Sequence, residues 1–147
     1  MATKAKARPT TKRKAPPRVQ PKKPSTHPAK KRTPTSRAVT TELRAICAEL
    51  PDTTEVVAWG EPTWRVKGRL YAQLDDHHHG AAHVSVWIPA APGAQEQLIE
   101  SDPDRFFRPP YVGHKGWVAI VLDTDPDWDM VGALLAQAHA LIRDKKR

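Results

Sequence analysis

The chain has 147 residues, with 24 Lys or Arg, 16 Asp or Glu and a formal net charge of +8. Its single cysteine, Cys47, excludes an intramolecular disulfide framework, and no apolar run reaches the roughly 18 residues that a membrane-spanning helix needs. The N-terminus also lacks the apolar stretch of a secretory signal. We therefore expect a cytoplasmic protein with one folded domain.

The charge is unevenly distributed along the chain. Residues 1–38 contain 13 Lys or Arg, seven of the 15 prolines and no Asp or Glu. The other 109 residues contain 11 Lys or Arg and all 16 acids, so a segment of charge +13 precedes one of charge −5. The first segment has too little apolar surface to offset the entropy of ordering it. We predict a disordered Lys/Arg/Pro-rich tail over residues 1–38 and a folded domain over residues 39–147.

The composition of the tail resembles the Lys/Ala/Pro-rich tails of linker histones and of some bacterial nucleoid proteins. A Lys or Arg that pairs with a phosphate releases counterions and needs no particular base sequence. The alternative is a tail that only localises or solubilises the domain. We predict that the tail binds DNA, with RNA as a further possible polyanion, through Lys4, Lys6, Arg8, Lys12, Arg13, Lys14, Arg18, Lys22, Lys23, Lys30, Lys31, Arg32 and Arg37.

The first element of the domain is predicted to be an amphipathic helix. Its apolar positions recur at i, i+3, i+4 and i+7, which is the spacing of one helix face. Thr40 or Thr41 is expected to cap its start and Pro51 to mark its end. Cys47 belongs to the apolar stripe, so we interpret it as a small core residue rather than a nucleophile.

A run of short strands is predicted to follow, separated by the turn signals of Gly60, Gly68 and Gly80. Trp64 is expected to pack inward and Arg65 to face solvent on the opposite side of the strand, while the position of Trp59 at the rim stays open. The pattern indicates an antiparallel meander with strands at Glu55–Trp59, Thr63–Val66, Arg69–Leu74 and His83–Ile88.

The last third of the chain alternates helix, strand and helix. We predict a short helix at Ala94–Ser101, a buried strand within residues 116–123, and a C-terminal helix with Asp125 as N-cap and Pro126 at its first position. The resulting order is helix, antiparallel β-meander, helix, strand, helix. This order predicts an α+β sandwich with the helices packed on a mostly antiparallel sheet.

Two motifs resemble metal sites, but we interpret both as polar segments that bind no metal. In "DDHHHGAAH", residues 75–83, His79 and His83 would share a face only in a helix, and Gly80 argues against one. In "DTDPDWD", residues 123–129, Trp128 and Leu134 stand where a calcium-binding loop needs glycine and glutamate. We expect no metal and no cofactor, and the role of the histidine run at 77–79 stays open.

The domain lacks a recognisable catalytic constellation, so we expect no enzymatic activity. The segment 103–117 interleaves Phe106, Phe107 and Tyr111 with basic residues, as nucleic-acid surfaces do. The alternative is that the two phenylalanines fill the core. We predict a modest cationic patch on the domain formed by Arg65, Lys67, Arg69, Arg108 and Lys115.

Two blocks of the sequence resemble the MmcQ/YjbR family of small bacterial proteins. The second block is "DPDRFFRPPYVGHKGWVAIVLD", and together the blocks cover about residues 40–143. The resemblance implies an α+β sandwich like that of secretion chaperones; members are commonly labelled DNA-binding, and no enzymatic activity is established across the family. The first block matches at Pro51, Glu55, Trp59-Gly60-Glu61-Pro62, Trp64-Arg65-Val66 and Gly68-Arg69.

Together these features predict a non-enzymatic, nucleoid-associated DNA-binding protein whose tail supplies sequence-independent phosphate contacts. The alternative is a protein- or small-ligand-binding module, in which the acidic domain does the specific work and the tail only localises or solubilises it. An acidic domain repels phosphates except at local patches, which is the main argument for this alternative.

Overall fold

The computed structural model describes residues 33–77 and 83–145, so residues 1–32 of the predicted tail, together with His78 and His79, lie outside the described residues. The predicted α+β class is confirmed, as are the meander and the helix at Ala94–Ser101. The elements are α1 (Pro34–Ala48), β1 (Thr53–Ala58), β2 (Glu61–Val66), β3 (Arg69–Asp76), β4 (Val84–Ile88), α2 (Ala94–Ser101), β5 (Phe106–Phe107), a 3₁₀ turn (Gly113–Lys115), β6 (Val118–Val121) and α3 (Trp128–Arg143).

The six strands form one antiparallel sheet in the order β1-β2-β3-β4-β6-β5. Two-residue turns join β1 to β2 and β2 to β3, and all four turn residues have positive φ: Trp59 (55°), Gly60 (79°), Lys67 (54°) and Gly68 (77°). Positive φ at both positions is the type I′ geometry, whose twist matches that of the flanking strands. The strand β5, only two residues long, was not predicted from the sequence.

One face of the sheet, here called the helix face, packs against the helices. Leu74, Val86, Ile120 and Phe106 form one row across it, because each is paired with the next in the strand register. Leu98 and Ile99 of α2 pack against the same core. The residues that α1 and α3 add to this core are Val39, Leu43, Cys47, Val131, Leu135, Ala138 and Ile142.

Trp64 occupies the helix face, as predicted, and is held there by a charged pair. Its indole Nε1–H donates to Glu55 Oε1 at 3.2 Å, and the Arg44 guanidinium of α1 donates to both oxygens of Glu55 at 2.8 and 2.7 Å. The pKa of the Glu55 carboxyl is lowered, chiefly by the hydrogen bond from Arg44. The carboxylate therefore joins α1 to both strands of the first hairpin.

A β-bulge brings Tyr71 to the same side. Trp64 pairs with Ala72 and Arg65 with Leu70, so Tyr71 is the extra residue of β3. Its ring meets His139 of α3 edge-on, with centroids 5.1 Å apart, and its hydroxyl is 2.9 Å from Thr53 Oγ1. His139 Nε2–H in turn donates to the carbonyl of Pro51 at 2.7 Å, which ties α3 to the segment between α1 and β1.

The opposite face, here called the second face, is also buried. Gln73, Trp87, Ala119 and Phe107 form one row across it, and Asp75, Ser85 and Val121 form the next row. Trp87 is 1% exposed and Ala119 is fully buried, although neither belongs to the core against the helices. Arg65 is on this face and half-buried, rather than facing open solvent.

Two predicted helix starts are wrong. Thr33, not Thr40 or Thr41, caps α1: its Oγ1 accepts from the Ser36 backbone N–H at 3.1 Å. The hydroxyls of Thr40 and Thr41 instead donate to carbonyls four residues earlier, inside the helix. Residues 34–38, assigned to the tail from the sequence, are thus helical.

At α3 the cap is Asp127, whose Oδ1 accepts from the Met130 backbone N–H at 3.1 Å. Asp125 lies two residues too early and has a φ of 48°. Asp129 is in the first turn of α3, where a negative charge complements the helix dipole.

Burial makes the Cys47 thiol unreactive. Its side chain is fully buried, and desolvation raises its pKa to about 12. In the unfolded chain the thiol ionises near pH 8.5, so stability should fall as pH rises from about 8.5 toward 12, by up to about 1.4 kcal/mol per pH unit.

Urea unfolding between pH 7 and 10 tests this prediction, and Cys47→Ala should lose part of the alkaline slope. Stoichiometric labelling of the folded protein by a thiol reagent within seconds at pH 8 would contradict it.

Candidate nucleic-acid interface

The β2–β3 turn and the end of α3 bring four cations together. Lys67 Nζ donates to the carbonyl of Arg143 at 3.3 Å, and Arg69 Nη1 donates to that of Lys145 at 3.1 Å. We call Lys67, Arg69, Arg143 and Lys145 the basic end. The two residues of each bonded pair are 76 positions apart in the sequence, so only the fold makes them neighbours.

The basic end keeps a net positive charge after its internal ion pair is counted. Arg143 donates to both oxygens of Asp144 at 2.9 Å, and these bonds are the first cause of the lowered pKa of Asp144. That pair is neutral overall, which leaves Lys67, Arg69 and Lys145 as net cations. An ammonium has three N–H donors and a guanidinium five, so each can cap a helix carbonyl and still bind a phosphate oxygen.

Sequence reasoning missed half of this group. Lys67 and Arg69 were predicted as interface residues, but Arg143 and Lys145 were not. The C-terminal run "RDKKR" is a visible signal of positive charge, yet its position beside the β2–β3 turn depends on how α3 packs on β2 and β3.

The predicted domain patch is divided by the sheet. Arg65 lies on the second face, and burial lowers the pKa of its guanidinium. Arg108 and Lys115 lie beyond β5, at the far edge of the sheet, four strand spacings or about 19 Å from β2. Arg108 Nη1 donates to Gln95 Oε1 at 3.2 Å. The five residues therefore form three separate groups rather than one patch.

The aromatic residues of segment 103–117 do not form one surface either. Phe106 is 3% exposed in the core, as the alternative interpretation expected, whereas Phe107 is half-buried outside the core and Tyr111 is 53% exposed. Trp59 is 49% exposed at the β1–β2 turn, at the opposite end of β2 from Lys67. The described residues thus place their exposed rings away from the basic end, which favours phosphate contacts over base stacking there.

The described histidines of the 75–83 segment bond to carboxylates. His77 Nδ1 is 2.8 Å from Asp76 Oδ1, and His83 Nδ1 is 3.1 Å from Asp123 Oδ1. Over residues 33–77 and 83–145, no group of three or more His, Cys, Asp or Glu has an arrangement suited to a metal ion.

No helix within residues 33–77 and 83–145 is long and apolar enough to cross a membrane.

Comparison with known proteins gives a family match. Residues 48–141 match the model of the family described as YjbR. Among solved structures, the chain is similar to the Deinococcus radiodurans protein DR2400, which has the domain DUF419, with a TM-score of 0.62 and 24% identity over 72% of this chain and 79% of that one. At this identity the likeness concerns the fold alone. No curated protein matches.

Proposed function

The chain belongs to the YjbR family, and on this premise we propose that it is a non-enzymatic DNA-binding protein whose N-terminal segment supplies sequence-independent phosphate contacts. The observation that carries the proposal is the concentration of 13 Lys or Arg, without one acid, in the first 38 residues. Arg37 is part of α1, so 12 of these cations precede the described domain.

The basic end supports the proposal from the side of the domain. The segment 39–147 has a formal charge of −5, which repels phosphates on average, so a direct contact with DNA needs a local positive surface. Lys67, Arg69 and Lys145 offer one. We therefore propose a dominant contact by the N-terminal segment and a minor one at the basic end.

The same chemistry leads us to propose a cytoplasmic, nucleoid-associated location. Phosphate contacts fix a protein on the duplex without reading its sequence. A protein that binds in this way distributes over the chromosome, and RNA would compete through the same counterion release.

A salt-titrated binding assay on duplex DNA of arbitrary sequence tests the proposal. It compares the intact protein with a full-length variant in which the 12 Lys and Arg of residues 1–32 are replaced by Gln. Keeping the full length preserves the Thr33 cap of α1. Equal affinities of the two proteins would contradict the proposed role of the segment.

The double variant Lys67→Gln/Arg69→Gln tests the contribution of the basic end in the same assay. We expect weaker binding and a salt slope smaller by about 1 for each phosphate that the variant no longer neutralises. The matched control is Arg108→Gln/Lys115→Gln, which removes the same charge at the far edge of the sheet. An equal effect of both variants would show that only the total charge matters, and urea unfolding would detect any weakening of the helix end.

A groove on the domain favours the second candidate function, a protein- or ligand-binding module. It has a volume of about 520 Å³ and lies between α2 and α3. Leu141 on its rim is 38% exposed. Pull-down with the Gln-substituted full-length protein tests this candidate: a specific partner that no longer binds Leu141→Asp would favour it. The apolar lining includes Ile88, Pro89, Ala90, Leu98, Leu134 and Leu141.

A further inference from the structure

The two edge strands of the sheet differ in how readily they can pair with another strand. β5 has only two residues, which leaves little backbone for pairing. β1 has six residues, Thr53–Ala58, and pairs with β2 alone. Edge strands are commonly protected by Lys, by Pro or by a bulge, and β1 contains none of the three. Among residues 33–77 and 83–145, the outer edge of β1 is therefore uncovered.

The strand register shows which backbone groups of β1 point outward. The two residues that flank the β1–β2 turn form a hydrogen-bonded pair, and bonded and non-bonded pairs then alternate along the ladder. Thr53, Glu55 and Val57 fall at the non-bonded positions. Val57 faces Pro62, which has no N–H, in agreement with this assignment. The backbone N–H and C=O groups of the three residues therefore point away from β2, and no other described backbone group bonds to them.

The exposed side chains at this edge are apolar. Val57 is 62% exposed, more than any other large hydrophobic side chain of the described residues, and Trp59 follows at the turn with 49%. Glu55 is the only ionisable residue of β1, and its charge is balanced by Arg44 at 2.7 Å. An edge with outward backbone groups, exposed apolar side chains and a balanced charge suits an extended strand of uncharged residues.

β1 is itself a strand of this kind, because four of its six residues are Thr or Val, which favour extended structure. Two copies related by a two-fold axis present the same patch to each other, so their β1 strands run antiparallel. A pairing centred on Glu55 would set two carboxylates opposite each other, which is unfavourable. A pairing centred on Val57 sets two exposed valines opposite each other instead.

We propose that β1 pairs antiparallel with β1 of a second copy of the chain, centred on Val57, so that the two sheets become one continuous sheet. Val57 and the partner's Val57 then exchange backbone hydrogen bonds. The same register sets the partner's Trp59 opposite Glu55. The Arg44 guanidinium bonds to Glu55 through its N–H groups, which leaves its planar face for the indole.

Sedimentation velocity of the full-length protein at increasing concentration tests the pairing. High salt is used, because it screens contacts of the basic residues with nucleic acid. We expect a monomer–dimer equilibrium whose dissociation constant rises at least about tenfold in Val57→Lys, since two like charges then face each other across the strands. Thr54→Lys is the matched control: it adds the same charge to β1 at an exposed position on the opposite face. Urea unfolding checks that both variants are folded.

A distance between the two copies tests the register. A nitroxide label is attached at Thr54→Cys, and Cys47 does not compete because it is fully buried. Thr54 is three residues from Val57 in each copy, so the two Thr54 Cα atoms are about 20 Å apart along the strands. Pulsed electron paramagnetic resonance measures this distance, and the dipolar signal should vanish when Val57→Lys is added.

Four results would overturn the pairing. They are a monomer at every concentration, a dimer that Val57→Lys does not weaken, equal weakening by Thr54→Lys, and a label distance well above about 20 Å. Equal weakening would show that charge, and not strand pairing, governs the association.

The pairing has a consequence for DNA binding, and this consequence alone rests on the proposed function. A dimer joins two copies of the 12 cations of residues 1–32, so that binding of the first raises the effective concentration of the second. On a duplex long enough for both, we expect Val57→Lys to bind at least about tenfold more weakly than Thr54→Lys, which has the same charge. Equal affinities would overturn the consequence, and absence of DNA binding would overturn the proposed function, while sedimentation decides the pairing in both cases.

Discussion

Raising the salt concentration from 50 to 200 mM will lower the affinity of the intact protein for duplex DNA by about 10³-fold, if about six cations engage phosphates together. Each neutralised phosphate contributes close to 0.9 to the slope of log affinity against log salt. Half of the 12 Lys and Arg in residues 1–32 would suffice for this slope. A titration followed by fluorescence anisotropy on a labelled duplex measures it.

The Gln-substituted full-length variant serves as the control for this titration. Its slope should approach that of the basic end alone, about 2 to 3 for Lys67, Arg69 and Lys145. A second duplex of different sequence should give the same affinity, because phosphate contacts contain no base information. A shallow slope in the intact protein, or a strong preference for one duplex, would contradict the electrostatic mechanism.

Replacing Trp64 by Ala will destabilise the domain by about 3–5 kcal/mol, a large part of the total stability of a small domain. The side chain is 1% exposed, so its removal leaves a large cavity in the core. It also removes the indole donor to Glu55, the carboxylate that joins α1 to the first hairpin. The free energy of unfolding in urea measures the effect.

Trp59→Ala is the matched control, because Trp59 is in the same hairpin and 49% exposed. Its effect on stability should stay within about 0.5 kcal/mol. If the two substitutions cost the same, Trp64 would not be the core residue that the structure indicates. A loss of DNA binding in folded Trp64→Ala would likewise contradict a core role.

Local sequence signals predicted most of the fold. The β1–β2 and β2–β3 turns follow from Gly60 and Gly68, which favour the positive φ that these turns require. The starts of α1 and α3 were misplaced because several residues of the right type stand close together, and only the backbone geometry selects Thr33 and Asp127 as caps. The two-residue β5 is too short for any periodicity to indicate.

Less of the candidate interface could be predicted from the sequence. Lys67 and Arg69 were identified by charge, but their proximity to Arg143 and Lys145 arises from the packing of α3 against the sheet. Arg108 and Lys115 were grouped with them, although the strand order places these residues at the other edge. The amino-acid sequence shows the sign of each charge, but it does not show how far that charge lies from the others across the folded sheet.

The sequence by itself determined the division of charge, the order of the helices and of every strand except β5, and the inward position of Trp64. These properties depend on composition and on the short-range periodicity of apolar residues. Only the tertiary structure decided that four distant cations form the basic end, and that Glu61, Asp75 and Trp87 share a buried second face. Both arrangements depend on strand register and helix packing, in which residues far apart in the chain become neighbours.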